Sequence, residues 1–336
     1  VNVKVKRYAI NTVKTLILPV LVIVLFAVLT GGRSLSWRML LVTARQSVMP
    51  VIISMALVGN MMLGMWDFSA GGVVLLAAII GGNLMKMTDT GTAGLVMFCL
   101  LIGVAMTTLT GYLNNKLRVP TIVVTIGLVL IYETIPRAIF PGGATITAKY
   151  TFLAASPYCF IILAVMFVAF YLLYNKTAYG HNIRALGGSQ EIAKSAGLNA
   201  ARIMQTGFSI SGVFLGVGAV LYISANGQLM TVTALGSVAT IFDAMMGVFL
   251  AFFLSRFCNL AVAVVVGTFT MTALSNGLVA MGLPATMRSI TSGLFLLILL
   301  CISANQGRII KWRADRQRAR EINAKFYSGT DASVKT

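Results

Sequence analysis

The chain has 336 residues, of which 58% are hydrophobic and only 10% charged, with a net charge of +18 and a mean hydropathy of +0.91. A soluble domain carries roughly 25% charged residues, so a water-soluble fold is excluded. The apolar stretches run about 17–25 residues without an alternating polar period, which favours membrane-crossing helices over a barrel.

Ten spans are predicted, over about residues 15–30, 44–63, 69–85, 93–113, 119–136, 157–175, 204–225, 238–254, 259–280 and 287–304. The basic stretch before the first span has no small-residue cleavage site, so that span is expected to be a retained anchor. With the N-terminus in the cytoplasm, nineteen of the 26 Lys and Arg residues fall on inside segments. The other seven, Arg33, Arg38, Arg45, Lys86, Arg137, Lys149 and Arg288, fall outside or near outer ends. This asymmetry is the positive-inside bias and predicts both termini in the cytoplasm. It accounts for the net charge without nucleic acid as a partner. One membrane domain, residues 1–304, is expected, followed by a basic cytoplasmic tail, 305–336, whose KWRADRQRAR stretch suits anionic headgroups.

Near the end of the second span stands Asn60, and beyond it the segment GMWDFSAGG, Gly64 to Gly72. Asp67 is expected to cap the third span, with Ser69 as the other candidate. An acid there also suits the helix dipole. The alternative is a break lining a translocation path. Span five opens with Arg118-Val119-Pro120, and Pro120 suits a first helical turn. Glu133 and Arg137 stand four apart and can pair on one face. Pro136 between them predicts a kink or the end of the span. Asn60, Thr125, Glu133, Asp243 and Asn276 are candidates for a polar path or for hydrogen bonds between helices. Glycines cluster at Gly71-Gly72, Gly81-Gly82, Gly207, Gly212, Gly216 and Gly218, a spacing that lets helix backbones approach closely.

Between spans six and seven lies a polar segment, Lys176 to Arg202, with five charged residues and the chain's single histidine, His181. Gly187-Gly188 is expected to end an irregular approach. Ser189 is a good N-cap, Glu191 lies in the first turn, Lys194 in the last, and Gly197 fits the position after the C-cap. These predict a two-turn helix over 190–196 with Ile192, Ala193 and Ala196 on one face. Such a helix is too short to stand alone in water, so a surface must hold it. Asn199 can cap the next span.

Signals for catalysis fail. The dipeptide Gly-Lys never occurs, so there is no P-loop. One histidine and scattered serines make no nucleophile–base pair. Cys99, Cys159, Cys258 and Cys301 form no C-x-x-C pair, and neither a metal site nor a disulfide is expected.

Several of these segments, in order, resemble the permease subunits of ABC importers for ribose, other simple sugars and related small solutes. The family pattern G-G-I-D-L-S-V-G is similar to Gly64 through Gly71, and V-P-x-F-I-x-T-L-G to Val119 through Gly127. The pattern G-R-x-x-x-A-x-G-G-N-x-x-A-A-R-L-S-G-I is similar to Gly180 through Leu198, where Ala185, Gly187, Gly188, Ala193 and Gly197 fit. Ser189 stands where the family has Asn, and Lys194 where it has Arg. The pattern N-N-G-L-x-x-x-G is similar to Ser275 through Gly282, whereas the acidic, glycine-rich segment around spans eight and nine is largely missing.

The resemblance implies an all-α polytopic fold of about ten helices, like that of a type II ABC importer permease. It implies a non-catalytic transport subunit in the bacterial cytoplasmic (inner) membrane. Its expected partners are a cytoplasmic ATPase carrying ATP and Mg, an extracytoplasmic solute-binding protein, and a second permease copy, identical or related. Residues 176–203 would be the coupling segment, with Arg184, Gly187, Gly188, Ser189, Glu191, Ala193, Lys194 and Gly197 facing the ATPase. Asn60, Asp67, Ser69, Thr125 and Asn276 would line the path of a monosaccharide or similar polar solute. Nucleosides, branched-chain amino acids and an ion-coupled transporter are the alternatives.

Overall fold

The computed structural model describes residues 2–32 and 35–284, with side chains from Thr15 onward, and single positions between 287 and 301. Residues up to Arg288 form one compact unit; the second begins at Ser289, and its described residues are helical. The tenth predicted span and the basic tail lie for the most part outside the described residues.

The first unit is a bundle of helices: α1 (Asn2–Leu29), α2 (Trp37–Met62), α3 (Ser69–Thr88), α4 (Gly91–Leu117), α5 (Thr121–Ile139), α6 (Tyr158–Lys176), α7 (Ala178–Gly188), α8 (Gln190–Ser195), α9 (Ala200–Asn226), α10 (Val238–Leu254) and α11 (Leu260–Ala280). Seven of these, α2–α6, α9 and α11, are long and apolar enough to cross a membrane, while the apolar part of α1 and α10 are shorter. The chain is therefore a multi-pass helical membrane protein. The spans match the apolar segments because nothing in hydrocarbon can satisfy a backbone except the helix itself.

Burial separates core helices from peripheral ones. Of the apolar window of α3, 72% is buried inside the protein, against 22% for α6. Both are apolar on all sides, so only their neighbours decide which meets lipid. Alternate helices run in opposite directions between two ends of the bundle. At one end lie α7 and α8. The other is closed by a two-residue antiparallel pair, β1 (Ala144–Thr145) on β2 (Gln228–Leu229), with Ala144 opposite Leu229. There Asn83 donates from Nδ2 to the Gly143 carbonyl at 2.9 Å.

The tightest helix pair is α4 with α9. A Cβ placed on Gly103 would meet the Gly212 carbonyl oxygen at 2.7 Å and the Gly216 Cα at 3.0 Å. Only glycine permits that approach, and the close backbones gain dispersion along the seam. Polar bonds continue it toward the α7–α8 end. Thr108 donates to Ser209 Oγ at 3.0 Å, Gln205 to the Thr108 carbonyl at 2.9 Å, and Asn115 to the Ala201 carbonyl at 3.0 Å.

Two local expectations shift by a few residues. Of the kink or end expected at Pro136, the end comes one turn later, at Ile139, where the Phe140 N–H closes on the Pro136 carbonyl at 2.8 Å. Pro120 sits at the cap position rather than inside the first turn, with Thr121 as the first helical residue.

Candidate functional site

The polar segment between α6 and α9 is two helices. The approach to Ser189 is not irregular: it is α7, eleven residues long. Thr177 caps it, accepting the Gly180 N–H at 3.4 Å. Ile183 and Leu186 are fully buried along one side, which stabilises α7 despite its glycines. At its far end Gly187 packs on the C-terminus of α2. A Cβ there would come 2.8 Å from the Met62 carbonyl oxygen. The Arg184 guanidinium lies over the Tyr174 ring of α6, 5.6 Å from its centroid.

Ser189 is the joint between the two helices. Its N–H closes α7 on the Ala185 carbonyl at 3.3 Å, and its hydroxyl caps α8 by accepting the Ile192 N–H at 3.4 Å. Glu191 lies in the first turn of α8 and Lys194 in the last. The helix then stops on Gly197, at φ +85°. The Gly197 N–H goes to the Lys194 carbonyl and the Leu198 N–H to that of Ala193, at 3.0 and 3.1 Å. This paired closure is a Schellman motif and needs the left-handed glycine. Asn199 accepts the Arg202 N–H at 3.0 Å and opens α9.

The face expected on α8 is not one face. Ala193 is 3% exposed and turned inward, whereas Ile192 is 71% exposed. Adjacent residues on a helix point about 100° apart, and the single turn that meets the bundle can bury only one of them. Ala196 is the C-cap rather than a helical residue. Arg184, Gly187, Gly188, Glu191, Lys194 and Gly197 are all exposed.

A second group forms where α2 ends. The chain breaks after Met62, turns at Gly64 (φ +75°), and restarts as α3 at Ser69. Asp67 is wholly buried. Its Oδ1 accepts the Ser69 hydroxyl at 2.5 Å, and its Oδ2 has no hydrogen-bond partner. The position next to the first helical residue is held by Phe68, so Asp67 works through Ser69 rather than as the cap residue itself. Ser69 lies 3.5 Å from the Thr110 hydroxyl of α4, and Thr110 is 3.0 Å from the Tyr132 hydroxyl of α5. Thr125, on α5, donates to the Trp66 carbonyl at 3.1 Å. Trp66 in turn packs on Phe249 of α10, with ring centroids 5.2 Å apart. Asn60 lies one turn before the break, 1% exposed, with neither its Oδ1 nor its Nδ2 bonded.

The five residues read from sequence as a path are therefore not one group. Asp67 and Ser69 touch each other, and Thr125 joins them through the backbone of the break. Asn276 stands elsewhere, on α11, donating to Thr43 Oγ1 of α2 at 3.2 Å. Thr43 and Asn60 are separated by about 25 Å along α2, at 1.5 Å per residue. Asn276 and Thr43 line a mostly apolar cleft with Phe26 and Met39. Asn114, whose Nδ2 donates to Met65 Sδ at 3.8 Å, and Tyr132 join the break without any sequence signal, since a single polar residue in an apolar helix does not reveal its orientation.

Residues 39–302 match the family described as branched-chain amino acid transport system / permease component. The galactose/methyl galactoside import permease protein MglC of Salmonella typhimurium is 42% identical over 62 residues, 18% of each chain. The autoinducer 2 import system permease protein LsrC of Klebsiella pneumoniae is 25% identical over 233 residues, 66% of this chain and 65% of that one. LsrC of Yersinia enterocolitica is 27% identical over 199 residues, 56% and 54% of the two chains. The chain thus spans less than two thirds of the length of these curated relatives. No solved structure matches it. The family match covers most of the sequence and most of the spans just described: the chain belongs to the branched-chain amino acid transport system permease family.

Proposed function

We propose that this chain is the membrane permease subunit of an ATP-driven importer in the bacterial cytoplasmic membrane. It carries a monosaccharide or similar small polar solute delivered by an extracytoplasmic binding protein. It works beside a second permease copy and takes its energy from ATP and Mg bound to a separate ATPase. Both termini are cytoplasmic, as the distribution of Lys and Arg supports. The ten-helix count belongs to the same reading. That MglC and LsrC are import permeases for a galactoside and for autoinducer 2 supports a sugar-like solute.

One observation carries this reading. A two-turn helix, capped at both ends, stands between two long apolar spans and points Ile192 outward at 71% exposure. An exposed apolar residue on so short a helix suits a partner's groove. Glu191 and Lys194 on the same short helix supply flanking charges that fix orientation. Closure of the ATPases on ATP would move this segment, and differential binding of ATP to the closed state would supply the energy.

The test is co-purification of the chain with its ATPase from membranes. Ile192→Glu should abolish it while the chain still inserts and folds. Uptake by the purified chain in liposomes without any ATPase would overturn the reading. The family's association with branched-chain amino acid transport favours a second reading, in which the solute is a branched-chain amino acid. A ligand screen on the cognate binding protein separates the two.

A further inference from the structure

The Asn60 carboxamide and the Tyr179 hydroxyl both lie against the bare backbone of Gly207. A Cβ on Gly207 of α9 would lie 2.8 Å from Asn60 Oδ1 and 3.2 Å from the Tyr179 hydroxyl. A Cβ on Gly59 of α2 would lie 3.1 Å from the same hydroxyl. The phenol of α7 thus rests over two glycines, one on α2 and one on α9. Beside it is a carboxamide that is 1% exposed and bonded at neither end. Buried amides are nearly always paired, and an unpaired one calls for an explanation.

A narrow cleft borders the phenol, lined by Gly59, Tyr179 and Gly207 together with Tyr174, Phe170 and Phe214. Residues larger than glycine at 59 or 207 would close the approach. Burial pushes the Tyr179 phenol up from its ordinary value, so it stays a neutral donor at any physiological pH. Tyr179 lies in the first turn of α7, and the other end of α7 bears on Met62 at the end of α2. A shift of α7 therefore acts on α2 at two points, and the hydroxyl at the first of them is within a side-chain movement of Asn60.

We propose that Tyr179 and Asn60 form a latch: in the ATPase-closed state the Tyr179 hydroxyl hydrogen-bonds the Asn60 carboxamide over Gly207 and ties α2, α7 and α9 into one unit. In the open state the bond is absent and the amide is unpaired, as it is in this structure. Both are positioning residues, acting on how the coupling segment moves the spans rather than on the solute. The inference rests on the reading of residues 176–203 as the coupling segment.

The experiment uses the full transporter complex in detergent, with melting followed before and after trapping with ATP, Mg and orthovanadate. The chains are wild type, Tyr179→Phe, Asn60→Leu and the double variant. Co-purification of the ATPase is scored for each. Trapping should raise the Tm of the wild-type complex, each single variant should lose about half of that rise or more, and the double variant should lose no more than the worse single one, as partners in one bond do. Asn60→Leu should leave the untrapped Tm unchanged or higher, because it removes an unpaired amide. A side chain with a merely structural role would lower both melting points together and leave the rise intact, which would overturn the latch. So would losses that add in the double variant. Failure of the wild-type chain to retain an ATPase would overturn the coupling reading and the latch with it. Retained ATPase with an unchanged rise overturns the latch alone.

Discussion

Glu133 of α5 holds Ser237, the residue ahead of α10, through one carboxylate oxygen: the Ser237 N–H donates to Oε1 at 2.8 Å and the Ser237 hydroxyl at 2.7 Å. The other oxygen accepts the Leu235 N–H at 3.0 Å. Glu133 is 1% exposed. The pairing with Arg137 open to it in sequence is replaced by a bond to a loop about a hundred residues away. That loop holds Ala234 and Leu235 at φ +58° and +67°, a conformation that is strained for residues with a Cβ and persists only where its surroundings impose it. The carboxylate is what imposes it.

Glu133→Ala leaves the buried Ser237 N–H and the part-buried Leu235 N–H without an acceptor and releases the strained turn. It should destabilise the purified chain by about 2–4 kcal/mol, read as a lower Tm in detergent. Ser237→Ala loses only the hydroxyl bond and should cost about 1 kcal/mol. The double variant should resemble Glu133→Ala, since both changes remove the same contact. Equal Tm values for Glu133→Ala and wild type would show that the loop is held by something else.

At the break after α2, Asp67→Ala should lower stability by about 1–3 kcal/mol, because the Ser69 hydroxyl loses its 2.5 Å acceptor. Asp67→Asn keeps an oxygen at that position and should lose less. The relevant measurement is the order of melting: wild type first, then Asn, then Ala. An Ala variant as stable as the Asn variant would mean that the Ser69 bond does not hold the break.

The α4–α9 seam makes a prediction about size. Gly212→Leu would drive a side chain into the α4 backbone, where even a Cβ would come 2.7 Å from the Val104 Cα. Overpacking of this kind costs about 1–3 kcal/mol, and at this seam it also separates two helices. Gly127, with nothing near its missing Cβ, is the control: Gly127→Leu should melt close to wild type.

The two ends of α8 can be tested independently of any partner. Ser189→Ala removes the cap and should cost about 1 kcal/mol. Gly197→Ala places a Cβ on a left-handed backbone, which costs about 1–2 kcal/mol. Both should raise hydrogen exchange across 190–198 while the protected amides of α3 and α9 stay unchanged. Exchange that rises everywhere would mean that α8 is not a local unit.

What could be read from the sequence was local or compositional. The edges of α3, α6 and α11 fall within a few residues of the apolar runs, because a spanning helix must match the hydrocarbon thickness. The caps of α8 and α9 were legible for another reason: Ser189, Gly197 and Asn199 act on backbone groups only a few residues away. Helix α7 escaped because Gly187-Gly188 reads as a breaker. Gly180 and Gly187 instead let α7 lie against Tyr174 and Met62, which lie on other helices.

The sequence alone therefore determined that the chain crosses the membrane many times and carries a short capped helix between two spans, since both follow from hydropathy and from hydrogen bonds of short range. Only the tertiary structure decided that Ile192 faces out and Ala193 in, that Glu133 reaches Ser237, and that Asn60 stands unpaired beside Tyr179. A helix apolar on every side carries no mark of which face meets lipid and which meets protein. The partners of its few polar residues come from whichever helix packs against it, however distant in the chain.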